Sequence, residues 1–93
     1  MYAATKAAVE AFSKTVAREF GSKKIRSNCV APGFMETEMS NSLTLEQKDR
    51  IYLRTSLKEE TQIESVSNTV KFLLSDESYS ITGQVIHVDS GTI

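Results

Sequence analysis

Ninety-three residues suffice for one small domain with a marginal core, since surface outgrows volume as chains shorten. Apolar residues at 40% and charged residues at 25% match an ordinary soluble globular chain. A formal net charge of -1 gives no reason to expect nucleic acid or an anionic membrane as partner. Met1 leads straight into Tyr2 without a basic leader or a long apolar run, so neither a signal peptide nor a membrane span is expected. Cys29 has no second cysteine to pair with, and its apolar neighbours predict a buried small hydrophobe in a reducing, cytoplasmic setting.

Residues 2 to 20 predict a helix, with alanine at six positions and Val9, Phe12, Val16 and Phe20 forming one apolar stripe. Ala4, Ala7, Ala8 and Ala11 make a flatter face that another helix, or this protein's own sheet, can approach closely. Gly21 is expected to end the helix in a left-handed conformation. Lys23, Lys24 and Arg26, the densest basic cluster, read as a solvated turn before a strand. Ile25 to Ala31 then predicts a strand buried on both faces, ended by Pro32-Gly33. Thr44-Leu45-Glu46-Gln47 has the form of a capping box that opens a helix to about Arg54. A second box, Thr61-Gln62-Ile63-Glu64, opens an amphipathic helix with Ile63, Val66, Val70 and Leu73 on one face. Gly83 marks a turn, and Val85 to Val88 reads as the last strand.

Two strands separated by helices describe a parallel crossover unit. A parallel pair needs both faces covered, so the pattern points to an α/β fold: the edge half of a larger doubly wound sheet. Residues 1–93 therefore read as a single partial domain, without repeats or linkers.

Tyr2 and Lys6 carry the chemistry. Residues four apart share a helix face, so phenol and ammonium can point into one site. A nearby cation favours phenolate, which lowers the phenol's pKa and makes it a better proton donor near neutral pH. Tyr-x-x-x-Lys alone is a weak signal, because both residue types are common on helices. It is joined by Pro32-Gly33-x-x-x-Thr37 about thirty residues later, and by Ile81-Thr82-Gly83 through Asp89-Ser90-Gly91 near the end. With these three motifs in this order, the chain resembles the C-terminal half of a short-chain dehydrogenase/reductase, most closely the 3-oxoacyl-acyl-carrier-protein reductase branch.

The resemblance implies a Rossmann-like domain and an oxidoreductase of fatty acid biosynthesis using NADP or NAD. By that likeness Tyr2 is the proton donor, while Lys6 lowers its pKa and bonds the nicotinamide ribose. The Pro32-Gly33 turn lies against the nicotinamide, and the Met35 main chain with the Thr37 hydroxyl holds its carboxamide. Ser40 to Glu60 becomes the lid over a small-molecule or acyl-thioester substrate. The family's homo-oligomers form through the first helix, and the last strand is a second candidate interface. His87 is expected to be structural or at an interface, and one His with one Cys builds no metal site. The sequence departs from the family's pattern: the active-site asparagine is not among these residues, and Ser90 stands in place of a Gly in the terminal turn. The Gly-rich phosphate turn and the catalytic serine are not among them either, and Leu57-Lys58-Glu59-Glu60-Thr61 stands where a Gly- and Pro-containing turn is usual. The 93 residues alone are therefore expected to be inactive and to bind no dinucleotide tightly. A non-catalytic assembly or dimerisation fragment is the alternative.

Overall fold

The expected first helix forms as α1, Tyr2–Phe20, in the computed structural model, which describes residues 2–35 and 42–92. Its exit differs from the expectation on Gly21. The chain tightens through a 3-10 turn at Gly21–Lys23, and Lys24 takes the left-handed conformation at φ 65°. The Lys24 N–H donates to Gly21 O at 2.9 Å and the Ile25 N–H to Phe20 O at 3.3 Å, the paired bonds of a Schellman stop. Those bonds offset the roughly 1–2 kcal/mol that a Cβ costs in this region.

Strand β1, Cys29–Pro32, starts later than the expected Ile25, because Arg26, Ser27 and Asn28 bond sideways to the segment before the last strand. The Arg26 guanidinium donates to Ser78 O at 2.8 Å, Ser78 Oγ at 2.9 Å and Ile81 O at 3.3 Å. Asn28 donates to Ile81 O and accepts from the Gln84 N–H, both at 3.0 Å. Arg26 is thus a half-buried clamp rather than part of a solvated turn, while Lys23 and Lys24 are exposed.

Strand β2, Val85–Val88, pairs parallel with β1, Cys29 opposite Val85 and Pro32 opposite Val88. Pro32 belongs to the strand rather than ending it. Cys29 and Gly33 turn their N–H groups to β2, so the donor that proline lacks falls on the other edge.

Helix α2, Leu45–Leu53, has the expected capping box: the Gln47 N–H donates to Thr44 Oγ1 at 3.1 Å, and the Thr44 N–H to Gln47 Oε1 at 2.9 Å. The second box does not form. Helix α3, Ile63–Leu73, starts at Gln62 without a side-chain cap, because Thr61 is buried and its N–H donates to Phe34 O at 3.1 Å.

The apolar faces are largely bare. On α1 the buried residues are Ser13 and Ala17, whereas Val9 is 57% and Phe12 70% exposed, and the alanine face is exposed too. Cys29 is only half-buried, and β1 is not covered on both faces. Among the described residues, Ala17 and Ala31 are the buried apolar side chains. The radius of gyration, 15.5 Å, exceeds the ~12 Å of a compact domain of this length. The described helices and strands thus leave much of their apolar surface open to solvent. Among the described residues, no helix is long and apolar enough to cross a membrane.

Candidate active site

Parallel pairing puts the carboxyl ends of β1 and β2 side by side, and ligands of open α/β sheets bind beyond such ends. A cleft of about 460 Å³ opens there. One wall is Lys6 of α1, the floor is Ala31 to Phe34, and the opposite wall is Ile51, Tyr52, Arg54 and Thr55 at the end of α2. A second cleft, about 470 Å³, lies between α1 and β1 and also touches Lys6, with Thr5, Val9, Glu10 and Cys29 to Pro32. Lys6, Ala31 and Pro32 line both.

Of the residues singled out from sequence, Lys6, Pro32 and Gly33 are brought together in the first cleft. The backbone of Tyr2 lies in the first turn of α1, one turn before Lys6. Met35 is half-buried and does not line the cleft, and Thr37 lies outside the described residues.

The Gly33 N–H donates to Val88 O at 3.0 Å. A Cβ built on Gly33 would stand 2.6 Å from Thr61 Oγ1 and 2.7 Å from Asp89 Cα. Close approach of the chain to itself is therefore sufficient reason for glycine here, ahead of any ligand. Phe34 and Tyr52 meet with ring centroids 5.9 Å apart, tilted by 56°, so α2 leans on the loop after β1.

Sequence reasoning placed Tyr52 and Thr55 only within the Ser40 to Glu60 lid, and did not single out Thr61 or Asp89 as cleft residues. Asp89 had a usable signal: it follows β2, whose parallel register carries it to the mouth beside Gly33. Its Oδ1 accepts from the Gly91 N–H at 3.0 Å and the Thr92 N–H at 3.2 Å, and its Oδ2 lies 3.9 Å from His87 Nδ1. Tyr52 and Thr61 gave no such signal, since loops of unknown path carry them inward.

Lys6 and Arg54 line the cleft together with Glu59 and Asp89, two charges of each sign, which gives no net attraction for a highly charged group. The cleft suits an uncharged ring with hydroxyls that an ammonium can bond. Among the described residues, no three His, Cys, Asp or Glu side chains cluster as a metal site would need.

The family model described as "Enoyl-(Acyl carrier protein) reductase" matches residues 1–92. The 3-oxoacyl-[acyl-carrier-protein] reductase of Staphylococcus epidermidis is 46% identical over 90 residues, covering 97% of this chain and 37% of the relative. The enzyme of the same name from Chlamydia trachomatis is 44% identical over 97% of this chain and 36% of its own length. That from Escherichia coli is 42% identical over 97% and 37%. The chain thus spans a little over a third of the curated relatives it matches.

Proposed function

Because the chain belongs to the short-chain dehydrogenase/reductase family, we propose that it is the catalytic, nicotinamide-side part of an NAD(P)-dependent 3-oxoacyl thioester reductase. In this reading the two strands are the edge of a doubly wound, Rossmann-like sheet. One observation carries it: Lys6, one helical turn after Tyr2, lines the same cleft as Pro32 and Gly33 at the carboxyl end of β1.

A bound nicotinamide cofactor supplies the hydride. Negative charge then builds on the ketone oxygen, and Tyr2 donates a proton to it. Lys6 lowers the phenol's pKa, so that the proton leaves readily near neutrality, and bonds the ribose hydroxyls. Pro32 and Gly33 would hold the ring, and the Met35 main chain and Thr37 hydroxyl would hold its carboxamide as the resemblance implies, although Met35 does not line the cleft in this structure. The residues present fit the nicotinamide-ribose end of the cofactor only. The pyrophosphate is held elsewhere in a complete enzyme, and the 93 residues alone do not turn over.

The family description names an enoyl substrate and the relatives a 3-oxoacyl one. The carbonyl reading is preferred, because the relatives' identity extends across nearly this whole chain and a phenol placed as a general acid answers charge on a ketone oxygen. A chimera decides it. Residues 2–92 are grafted in place of the matching part of the S. epidermidis relative, and NADPH oxidation is followed with acetoacetyl and crotonyl thioesters. Reduction of the acetoacetyl ester is expected. A folded chimera that reduces neither, or only the crotonyl ester, overturns the reading.

A second reading, an assembly fragment, is favoured by the exposed Val9 and Phe12 on α1 and by the outer edge of β2, unpaired among the described residues. The homo-oligomer contacts proposed for α1 and β2 use the same surfaces. The solution mass of the purified chain tests assembly itself: a dimer or larger is expected, and a monomer with a cooperative melt counts against it.

A further inference from the structure

Helix α2 forms one wall of the cleft, yet it buries none of its residues, and Leu45 and Leu53 are exposed. Its position must be set at few points. The Phe34–Tyr52 ring contact is one. Another follows immediately after the helix. Thr55 closes its last turn, donating from N–H and Oγ1 to Tyr52 O at 3.0 and 2.8 Å. The next residue, Ser56, donates from both N–H and Oγ to Gly91 O, at 2.9 and 3.0 Å. The Leu57 N–H donates to Ser90 O at 3.0 Å, and Ser90 Oγ donates to Glu60 O at 3.2 Å. Four hydrogen bonds therefore stitch the segment after α2 to the turn after β2.

That turn is itself fixed. Ser90 and Gly91 both have positive φ, 58° and 81°, and Asp89 Oδ1 accepts the Gly91 and Thr92 N–H groups. Asp89 and Thr92 line the cleft on the turn's side as Tyr52 and Thr55 do on the helix's side. A Cβ added at Gly91 would stand 2.6 Å from Ser56 Cβ and 2.8 Å from its Oγ. Nothing larger than glycine fits unless Ser56, and the helix end bonded to its neighbour, moves away.

We propose that Ser56 and Gly91 are positioning residues: their contact clamps α2 to the last turn and sets how wide the cleft stands to an acyl substrate. The specificity half of this rests on the function proposed above; the clamp itself does not.

Two measurements separate these. The first is NMR of the isotope-labelled chain. Gly91→Ala is expected to abolish the Phe34–Tyr52 ring cross-peaks and shift the α2 amides, while Cys29 to Ala31 and Val85 to His87 keep their positions. Adding Ser56→Gly removes the colliding atoms and is expected to restore the cross-peaks, a rescue that general destabilisation does not give. Ser56→Ala, which loses one bond and leaves the backbone intact, is expected to speed exchange in the last turn of α2 roughly two- to tenfold with α3 unchanged. Unmoved α2 amides in Gly91→Ala overturn the clamp. If that variant does not fold, wild-type exchange in Ser56→Ala overturns it. The second measurement uses the chimera, where Ser56→Ala is expected to change the ratio of KM between short and long acyl thioesters with kcat kept. A constant ratio beside a displaced α2 overturns the specificity role alone.

Discussion

Tyr2→Phe in the chimera is expected to lower kcat for acetoacetyl thioester by about 10²–10⁴-fold, the usual contribution of a positioned general acid. The substitution removes one hydroxyl, so stability is expected to change little, and KM for the thioester should hold if the phenol acts mainly in the transition state. Lys6→Met is expected to lower kcat as well and, unlike Tyr2→Phe, to raise KM for NADPH, because the ammonium has two tasks in this reading. The pair serves one proton transfer, so in kcat the double variant is expected to be hardly worse than Tyr2→Phe alone, while it keeps the raised KM for NADPH. A Tyr2→Phe enzyme that keeps more than about a tenth of its kcat would remove Tyr2 from the role of acid. Additive losses in the double variant would mean that Lys6 acts independently of the phenol. The structural reason for expecting coupling is modest and specific. The two residues are one turn apart in α1, and Lys6 lines the cleft over Gly33.

Elements whose cause is local were legible in the sequence. The Thr44–Gln47 box closes on itself within four residues, and it formed as written. Helix α1 and strand β2 follow from alanine content and from an apolar run after a glycine turn, and both have the expected bounds. Errors occur where a distant partner outbids the local signal. Thr61 has the sequence form of an N-cap, but Phe34 O takes its N–H and the loop turns it inward. Ile25 looks like strand, but Arg26 and Asn28 are committed to carbonyls more than fifty positions away, so the ladder begins after them. Gly21 looks like a helix terminator, but the helix runs on one 3-10 turn and a lysine takes its place. The site divides similarly. Lys6, Pro32 and Gly33 could be named because short motifs hold them, and Asp89 could have been found from strand register. Tyr52, Thr55 and Ser56 could not, since their place depends on how a loop of this length folds back onto the last turn.

Gly33→Ala and Gly21→Ala are the same chemical change and are expected to act in opposite directions. At Gly33 the new methyl would overlap Asp89 Cα at 2.7 Å and Asp89 Cβ at 2.8 Å, as well as Thr61 Oγ1 at 2.6 Å. Thr61 Oγ1 can rotate away, but the two Asp89 atoms can yield only if the β2 end and the last turn shift. That shift would also strain the Gly33 N–H···O Val88 bond. Overpacking of this kind costs typically about 1–3 kcal/mol, and a collision with main chain belongs at the upper end. For a chain of this size the loss corresponds to a Tm lower by roughly 10–20 °C. At Gly21 a Cβ meets nothing within 4 Å, and the residue does not have a positive φ. There the loss of unfolded-state freedom dominates, and Gly21→Ala is expected to stabilise by about 0.4–1 kcal/mol. Thermal melts of the two variants beside the parent chain, or in the chimera background, read both signs at once. Equal Tm values would mean that the Gly33–Asp89 approach is looser than described. The floor of the cleft would then have room for a side chain, and Gly33 would lose its place in both the fold and the site.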